Sequence, residues 1–280
     1  SRGLGDVYKR QFTRRALENI QLEIDTAVDD AIERSLKEGG MDVVQDLAVF
    51  VPSQMICRIM GVPESDRTQF MEWTAARTNA FFARFLPEEI RQRVRSAGEG
   101  MADYFDQLIK ERRTDLGADL LSELIRAEES GDRLHGEELA VQAIGLMVAG
   151  FETTIGLIGN GLRAFIENPN QMELLRQRPE LLENAVEECL RYDTPILFNW
   201  RILTENYHLD GRPLPKDSVL WLMLGAGNRD PARFIRPDTF DIQRHDVGHL
   251  SFGGGEHFCL GHQLARMEGR SAIGTFLRRV

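Results

Sequence analysis

Near the C-terminal end, the run Phe252-Gly253-Gly254-Gly255-Glu256-His257-Phe258-Cys259-Leu260-Gly261 places a cysteine behind three glycines and ahead of a helix-forming stretch. A thiolate at a helix N-terminus is stabilised by the macrodipole and by free backbone N–H groups, which lower the thiol pKa and favour metal ligation. Glycines let such a loop curl until its amides point at the sulfur, and hydrogen bonds of that kind tune a bound metal. Phe252 is placed to shield the sulfur from water. A buried structural cysteine beside a helix start is the other reading of this segment.

Two more sets of residues carry possible chemistry. The run Ala149-Gly150-Phe151-Glu152-Thr153-Thr154 puts a carboxylate and two hydroxyls inside an apolar stretch, where an unpartnered polar group is costly. Gly150 removes a side chain and can open a groove beside a ligand, whereas the threonines can simply bond back to carbonyls four residues earlier. Glu188 and Arg191 lie three apart on one helical face, a spacing that an ordinary surface ion pair also adopts.

The elements that position these groups are set by periodicity and punctuation. Ala16, Ile20, Ile24, Val28 and Ile32 recur every fourth residue, predicting an amphipathic helix from Phe12 to about Lys37 that Gly39-Gly40 closes. Asp42 to Met60 and Glu64 to Phe82 predict two further helices, separated by Gly61 and Pro63, and residues 88 to 112 a fourth. A short helix over Ala118 to Ala127 precedes a long one from His135 to Glu167, apolar around most of its circumference and so expected to cross a core. Two helices at about 170 to 177 and 179 to 192 end before Pro195. Short β-type runs at Ile196 to Ile202, Tyr207 to Leu209 and Val219 to Met223 imply a small sheet, with Asp210-Gly211, Pro213 and Pro215 as turn residues. An irregular Gly/Pro/Asp-rich segment runs on to Gly255, and a final helix spans about Gly261 to Arg279.

Composition narrows the function classes. The 280 residues carry 34 Lys and Arg against 44 Asp and Glu, and a net charge of −10 argues against general nucleic-acid binding. The longest continuous apolar stretch, Ala143 to Phe151, is far shorter than a spanning segment, so no membrane anchor is expected. Cys57, Cys189 and Cys259 are too scattered for a disulfide framework or a zinc site, and a reducing cytoplasm is the expected setting. Residues 1–11 sit oddly against the amphipathic pattern that begins at Phe12 and read as a non-native leader or scar, leaving 12–280 as a single, mostly helical domain.

The cysteine loop resembles the haem-binding loop of the cytochromes P-450, whose pattern F-x-x-G-x-x-x-C-x-G is met at Phe252, Gly255, Cys259 and Gly261, with the bacterial form's histidine at His257. The run from Ala149 resembles that family's oxygen-activation motif, A-G-x-D/E-T-T. Ala185 to Tyr192 resembles its E-x-x-R helix, with Arg244 in the place of the partner arginine, and Asn228-Arg229-Asp230-Pro231 its N-R-D-P turn. Leu264 to Glu268 is similar to the helix after the loop. The order and spacing of these matches run from about Phe12 to Leu277.

The resemblance implies a mainly α cytochrome P-450 fold, a helical bundle around a long central helix with a small β region, truncated at both ends. It implies haem b (iron protoporphyrin IX) with Cys259 as the iron ligand, whose electron donation favours O–O cleavage. His257 and Arg201 would each hold a propionate. Thr153 would stabilise activated oxygen and Glu152 relay protons, while Glu188, Arg191 and Arg244 would form a buried structural triad. The implied reaction inserts one oxygen atom of O2 into a small apolar organic substrate. Electrons would come from a separate ferredoxin or flavodoxin with its NAD(P)H-dependent reductase. Phe81 and Phe82, Met147 and Val148, and Ile196 to Phe198 fall in regions that usually line the pocket. Two alternatives remain: a peroxide-using relative, which the intact Glu152-Thr153 pair disfavours, and a fragment without catalysis.

Overall fold

The computed structural model describes residues 14–78, 80, 85–129, 137–246 and 248–280. Residues 1–11, Phe12, Phe81, Phe82 and His135 lie outside the described residues. Two compact units are formed, one from Ser1–Gly159 with Leu260–Val280 and the other from Asn160–Cys259.

In the first unit, α1 (Arg14–Glu38) buries Ile24, Val28 and Ile32 completely and is closed by Gly39 at φ +79°, as the four-residue repeat and the glycine pair predict. The second predicted helix has two parts. Asp42 caps it by accepting from the N–H groups of Val44 and Gln45 at 2.9 and 3.0 Å, and the chain then winds as a π-helix over Val43–Val49 before α2 (Phe50–Ile59). Pro52 has no N–H to give the Ala48 carbonyl, so the regular ladder cannot run unbroken through this stretch. A single 3-10 turn at Glu64–Asp66 leads into α3 (Arg67–Thr78), and α4 (Glu88–Arg112) matches its predicted span.

α3 and α4 meet through aromatic rings: Phe70 packs edge-on against Tyr104 and Phe105 at centroid distances of 4.7 and 5.5 Å. Such pairs add about 0.5–1.5 kcal/mol to the burial of the rings. Phe70 and Phe105 are fully enclosed, together with Leu120, Leu121, Leu124 and Ile125 of α5 (Leu120–Glu129). Into the same cluster α6 (Glu137–Glu167) sends Leu139, Ala143, Met147 and Phe151, so this long helix crosses the core as its near-continuous apolarity predicts. Glu138–Glu167 also has the length and mean hydropathy, 1.6, of a membrane-crossing helix; Leu139, Ala140, Ala143, Met147 and Phe151 pack this core, whereas Val141 and Ile166 are exposed.

The second unit holds α7 (Pro169–Gln177) and α8 (Leu182–Tyr192), joined by a 3-10 turn at Pro179–Leu181. The β-type runs imply one sheet; two separate ribbons form. β1 (Asn199–Ile202) runs antiparallel to β4 (Val219–Leu222), and β2 (Tyr207–Leu209) pairs with β3 (Arg212–Leu214). β3 contains Pro213, predicted as a turn residue. It is tolerated because Leu209 and Arg212 flank the two-residue turn as a hydrogen-bonded pair, which leaves Pro213 opposite His208 where no N–H is needed. The turn itself, Asp210-Gly211, has φ of +48° and +77°, the geometry that favours these residue types. Trp200, Ile202, Trp221 and Leu222 on the first ribbon stay 40–56% exposed.

A short helical turn, α9 (Leu224–Gly227), opens the irregular segment, and α10 (His262–Arg279) ends the chain in the first unit, where it packs on α1 and α2. The Asp42 cap predicts that Asp42→Ala lowers the stability of the chain by about 1 kcal/mol in urea unfolding, because two N–H groups lose their acceptor.

Candidate functional site

Arg191 decides the interior of the second unit. It and Glu188, one turn apart on α8, are both 0% exposed. Arg191 gives its Nε and one Nη2 proton to the two carboxylate oxygens at 2.7 and 2.8 Å. The rest of the guanidinium donates to the backbone carbonyls of Asn228, Pro237 and Thr239 at 2.9, 2.8 and 3.1 Å, so all five N–H groups are used. Arg244 adds its Nε to Glu188 at 3.1 Å, and the Asp241 N–H donates to the same carboxylate at 2.9 Å. Glu188, Arg191 and Arg244, singled out by spacing and resemblance, are therefore brought together, and the surface ion pair that the same spacing allows is not what forms.

From this pair a chain of hydrogen bonds leads to the cysteine loop. Asn228, itself 0% exposed, accepts from Arg191 through its carbonyl. Its side chain accepts from the Leu250 N–H at 2.7 Å and donates to Ser251 Oγ at 3.0 Å. Ser251 passes its own proton to the Leu190 carbonyl on α8 at 2.7 Å. His249 Nδ1 accepts from the Ser251 N–H at 3.1 Å, which leaves the proton on Nε2 to meet Glu187 of α8 at 3.2 Å. The loop thus leaves α8 at a fixed place before Phe252 begins.

The loop then closes on itself. The Gly253 N–H donates to the Leu250 carbonyl at 2.8 Å, and the Cys259 N–H to the Phe252 carbonyl at 2.9 Å. Gly253 and Gly255 take φ of +71° and +63°, values that disfavour any side chain, and a 3-10 turn over Gly255–His257 lifts His257 into solvent. Phe252 is 8% exposed with its ring 5.6 Å from that of His249. Gly261 starts α10, and no atom would meet a side chain there within 4 Å.

The three thiols differ in setting. Cys57 and Cys189 are buried; burial pushes Cys57 up to about 11 and Cys189 further in the same direction, so both stay protonated and inert. Cys259 is partly exposed. Among the described residues no three His, Cys, Asp or Glu side chains converge to cage a bare metal ion. A partly exposed thiol on a glycine loop fits the thiolate that a macrocyclic iron cofactor takes.

The other predicted residues are dispersed. Arg201 lies exposed on β1 and donates to the Trp200 carbonyl at 2.8 Å. In the first unit Thr153 bonds back to the Ala149 carbonyl at 2.8 Å and Thr154 to that of Gly150 at 3.4 Å. The space freed by Gly150 is not an open groove, because a side chain there would stand 2.8 Å from Ile56 Cδ1 of α2. The sequence marks Asn228 as part of a turn without giving it a role, and does not single out His249 or Ser251. Asn184, which donates to the carbonyls of Ile242 and Arg244 at 2.6 and 3.1 Å, is equally unmarked. Only the N-R-D-P turn carries a signal for any of them.

Comparison with known proteins agrees with this fold. The profile of the family described as cytochrome P-450 matches residues 9–280, and the chain belongs to that family. Cytochrome P-450 107B1 of Saccharopolyspora erythraea is 39% identical over 271 residues, 96% of this chain and 65% of its own length. The biotin biosynthesis cytochrome P-450 of Bacillus subtilis is 38% identical over 269 residues, 96% of this chain and 68% of its own. The chain thus spans about two thirds of the length of these relatives. A crystal structure of P-450 BioI in complex with an acyl carrier protein ligated to hexadec-9Z-enoic acid superposes with a TM-score of 0.94 at 36% identity, covering 99% of this chain and 72% of that one. Membership of the family implies haem as the cofactor.

Replacing Glu188 by Ala leaves Arg191 and Arg244 without a countercharge in the interior. The variant is expected to lose roughly 3–5 kcal/mol of stability, read from chemical unfolding. A parent-like midpoint would mean that these arginines find their compensation in the surrounding carbonyls alone.

Proposed function

We propose that this chain is the haem-ligating part of a monooxygenase that inserts one oxygen atom of O2 into an apolar organic substrate. The observation that carries the reading is the Cys259 loop: a partly exposed thiol between two positive-φ glycines and a helix start, tied through Asn228 to the buried Glu188–Arg191 pair.

Haem, when bound, supplies an iron that activates dioxygen once two electrons have arrived. Cys259 gives the thiolate, and the hydrogen bonds that close its loop fix where the sulfur points. Phe252 keeps water from it. His257 and Arg201, both exposed, offer N–H donors to the propionate carboxylates. Glu152 would relay protons, and Thr153 would offer its hydroxyl to dioxygen. The Thr153 hydroxyl has one proton, now given to the Ala149 carbonyl at 2.8 Å, so serving the oxygen means surrendering a bond worth about 0.5–1.5 kcal/mol. One oxygen atom enters a C–H bond; the other leaves as water with two protons and two electrons. A ferredoxin or flavodoxin with its NAD(P)H-dependent reductase supplies those electrons in the cytoplasm.

The deciding experiment is a carbon monoxide difference spectrum of the reduced, haem-reconstituted chain. Cys259→Ala and Cys259→Ser are expected to abolish the red-shifted thiolate band, while Cys57→Ala and Cys189→Ala keep it. A band unchanged in Cys259→Ala overturns the ligand assignment. In a full-length protein, Thr153→Ala is expected to retain haem yet release peroxide in place of product, measured as product formed per NAD(P)H consumed. Unaltered yield and peroxide release would leave Thr153 an ordinary back-bonded residue.

A further inference from the structure

His249 has no part in the ligation, proton relay or ion pair assigned above, yet its side chain is enclosed, 3% exposed, three residues before Phe252. An imidazole held at one nitrogen can still swing about that bond, whereas hydrogen bonds at both nitrogens fix its plane and its tautomer together. His249 has both. Nδ1 accepts from the Ser251 N–H at 3.1 Å, and Nε2 meets Glu187 of α8 at 3.2 Å. A backbone N–H can only give, so Nδ1 is the bare nitrogen and the proton lies on Nε2, aimed at a carboxylate oxygen.

The ring so fixed is the first of three in a row. Phe252 lies 5.6 Å from His249 at an interplanar angle of 50°, and Phe258 lies 6.4 Å from Phe252 at 60°. The row ends one residue before Cys259. Its two outer members differ in setting, since His249 is enclosed and Phe258 is 47% exposed; Phe252, at 8%, sits between them. Phe252 is also the residue whose carbonyl accepts the Cys259 N–H at 2.9 Å. The side chain that His249 packs against therefore belongs to the residue that holds the cysteine. Filling space beside Phe252 would need only an apolar ring, and two directed hydrogen bonds on an enclosed imidazole are more than that task requires.

We propose that Glu187 and His249 are a positioning pair for the cysteine loop: Glu187 fixes the imidazole, the imidazole fixes Phe252, and Phe252 limits how far solvent reaches Cys259 Sγ. The consequence for a thiolate on iron rests on the function proposed above; the control of thiol access does not.

The pair is tested on the whole chain without haem, by timed alkylation with iodoacetamide and peptide mass spectrometry that reads each cysteine separately. In the parent, Cys259 is expected to react while the buried Cys57 and Cys189 do not. Glu187→Ala should speed Cys259 roughly two- to tenfold, the factor by which one lost hydrogen bond shifts a local opening equilibrium. Glu187→Gln, whose amide oxygen still accepts from Nε2, should restore the parent rate. His249→Phe keeps a ring beside Phe252 but neither hydrogen bond, and should react as fast as Glu187→Ala. His249→Asn can still accept from the Ser251 N–H two residues on, yet lacks the ring and the reach to Glu187, and should be faster than the parent too. Cys189 lies on α8 with Glu187 and serves as the internal control, because a general loosening of that helix exposes it as well. Acceleration of Cys189 in step with Cys259 would reduce the pair to a support of α8 and overturn the proposal. So would a parent-like Cys259 rate in Glu187→Ala or His249→Phe, or a Glu187→Gln variant as fast as Glu187→Ala. His249→Phe, which leaves α8 unaltered, decides the matter if Glu187→Ala does not fold. A parent that lacks the thiolate band with carbon monoxide yet gives these alkylation rates marks a failure of the haem assignment alone.

Discussion

A carboxylate with no access to water has to be neutralised and saturated, and the second unit is arranged around that requirement. Glu188 receives both arms of Arg191, the Nε of Arg244 and a backbone N–H. Each arginine then has donors left over, and the segment from Asn228 to Thr239 wraps round so that its carbonyls take them. The result is a stretch with almost no regular secondary structure whose path is nonetheless dictated. Replacing such an ion pair by apolar residues would often cost little in stability. What the charges add here is direction, because a guanidinium accepts partners only in its plane.

That direction reaches the cysteine through a neutral relay. Asn228 is fully buried and uses its carbonyl for the arginine and its side chain for Leu250 and Ser251, so one residue transmits the position of the ion pair to the start of the loop. Ser251 and His249 return to α8, making a closed circuit of hydrogen bonds. The loop beyond is shaped by its positive-φ glycines and by three backbone hydrogen bonds of its own. A rigid approach and a short free span suit a ligand that must keep one orientation.

In the first unit the same problem, polar groups in an apolar setting, is solved differently. Thr153 and Thr154 lie in a helix whose neighbours bury Met147 and Phe151. They are satisfied first by their own backbone, and a threonine so satisfied can be redirected at the cost of a single hydrogen bond. Glu268 is buried in the same unit, and that burial raises its pKa.

Sequence alone determined the class of fold and the spans of most helices and singled out Cys259 as the candidate thiol, since apolar periodicity, glycine stops and motif order are local properties of the chain. The ends of α1 and α8 were legible because Gly39 and Pro195 punctuate them. What tertiary structure decided are the matters that depend on a partner distant in sequence. The spacing of Glu188 and Arg191 is the same on a surface as in a core, and only the enclosing carbonyls make it buried. Gly150 read as room for a ligand until Ile56 filled it. Pro213 read as a turn because its strand pairing leaves no mark in composition. Glu268 in a run of ordinary helix formers shows nothing of its burial, because desolvation is set by what packs around a side chain and not by its neighbours in the chain.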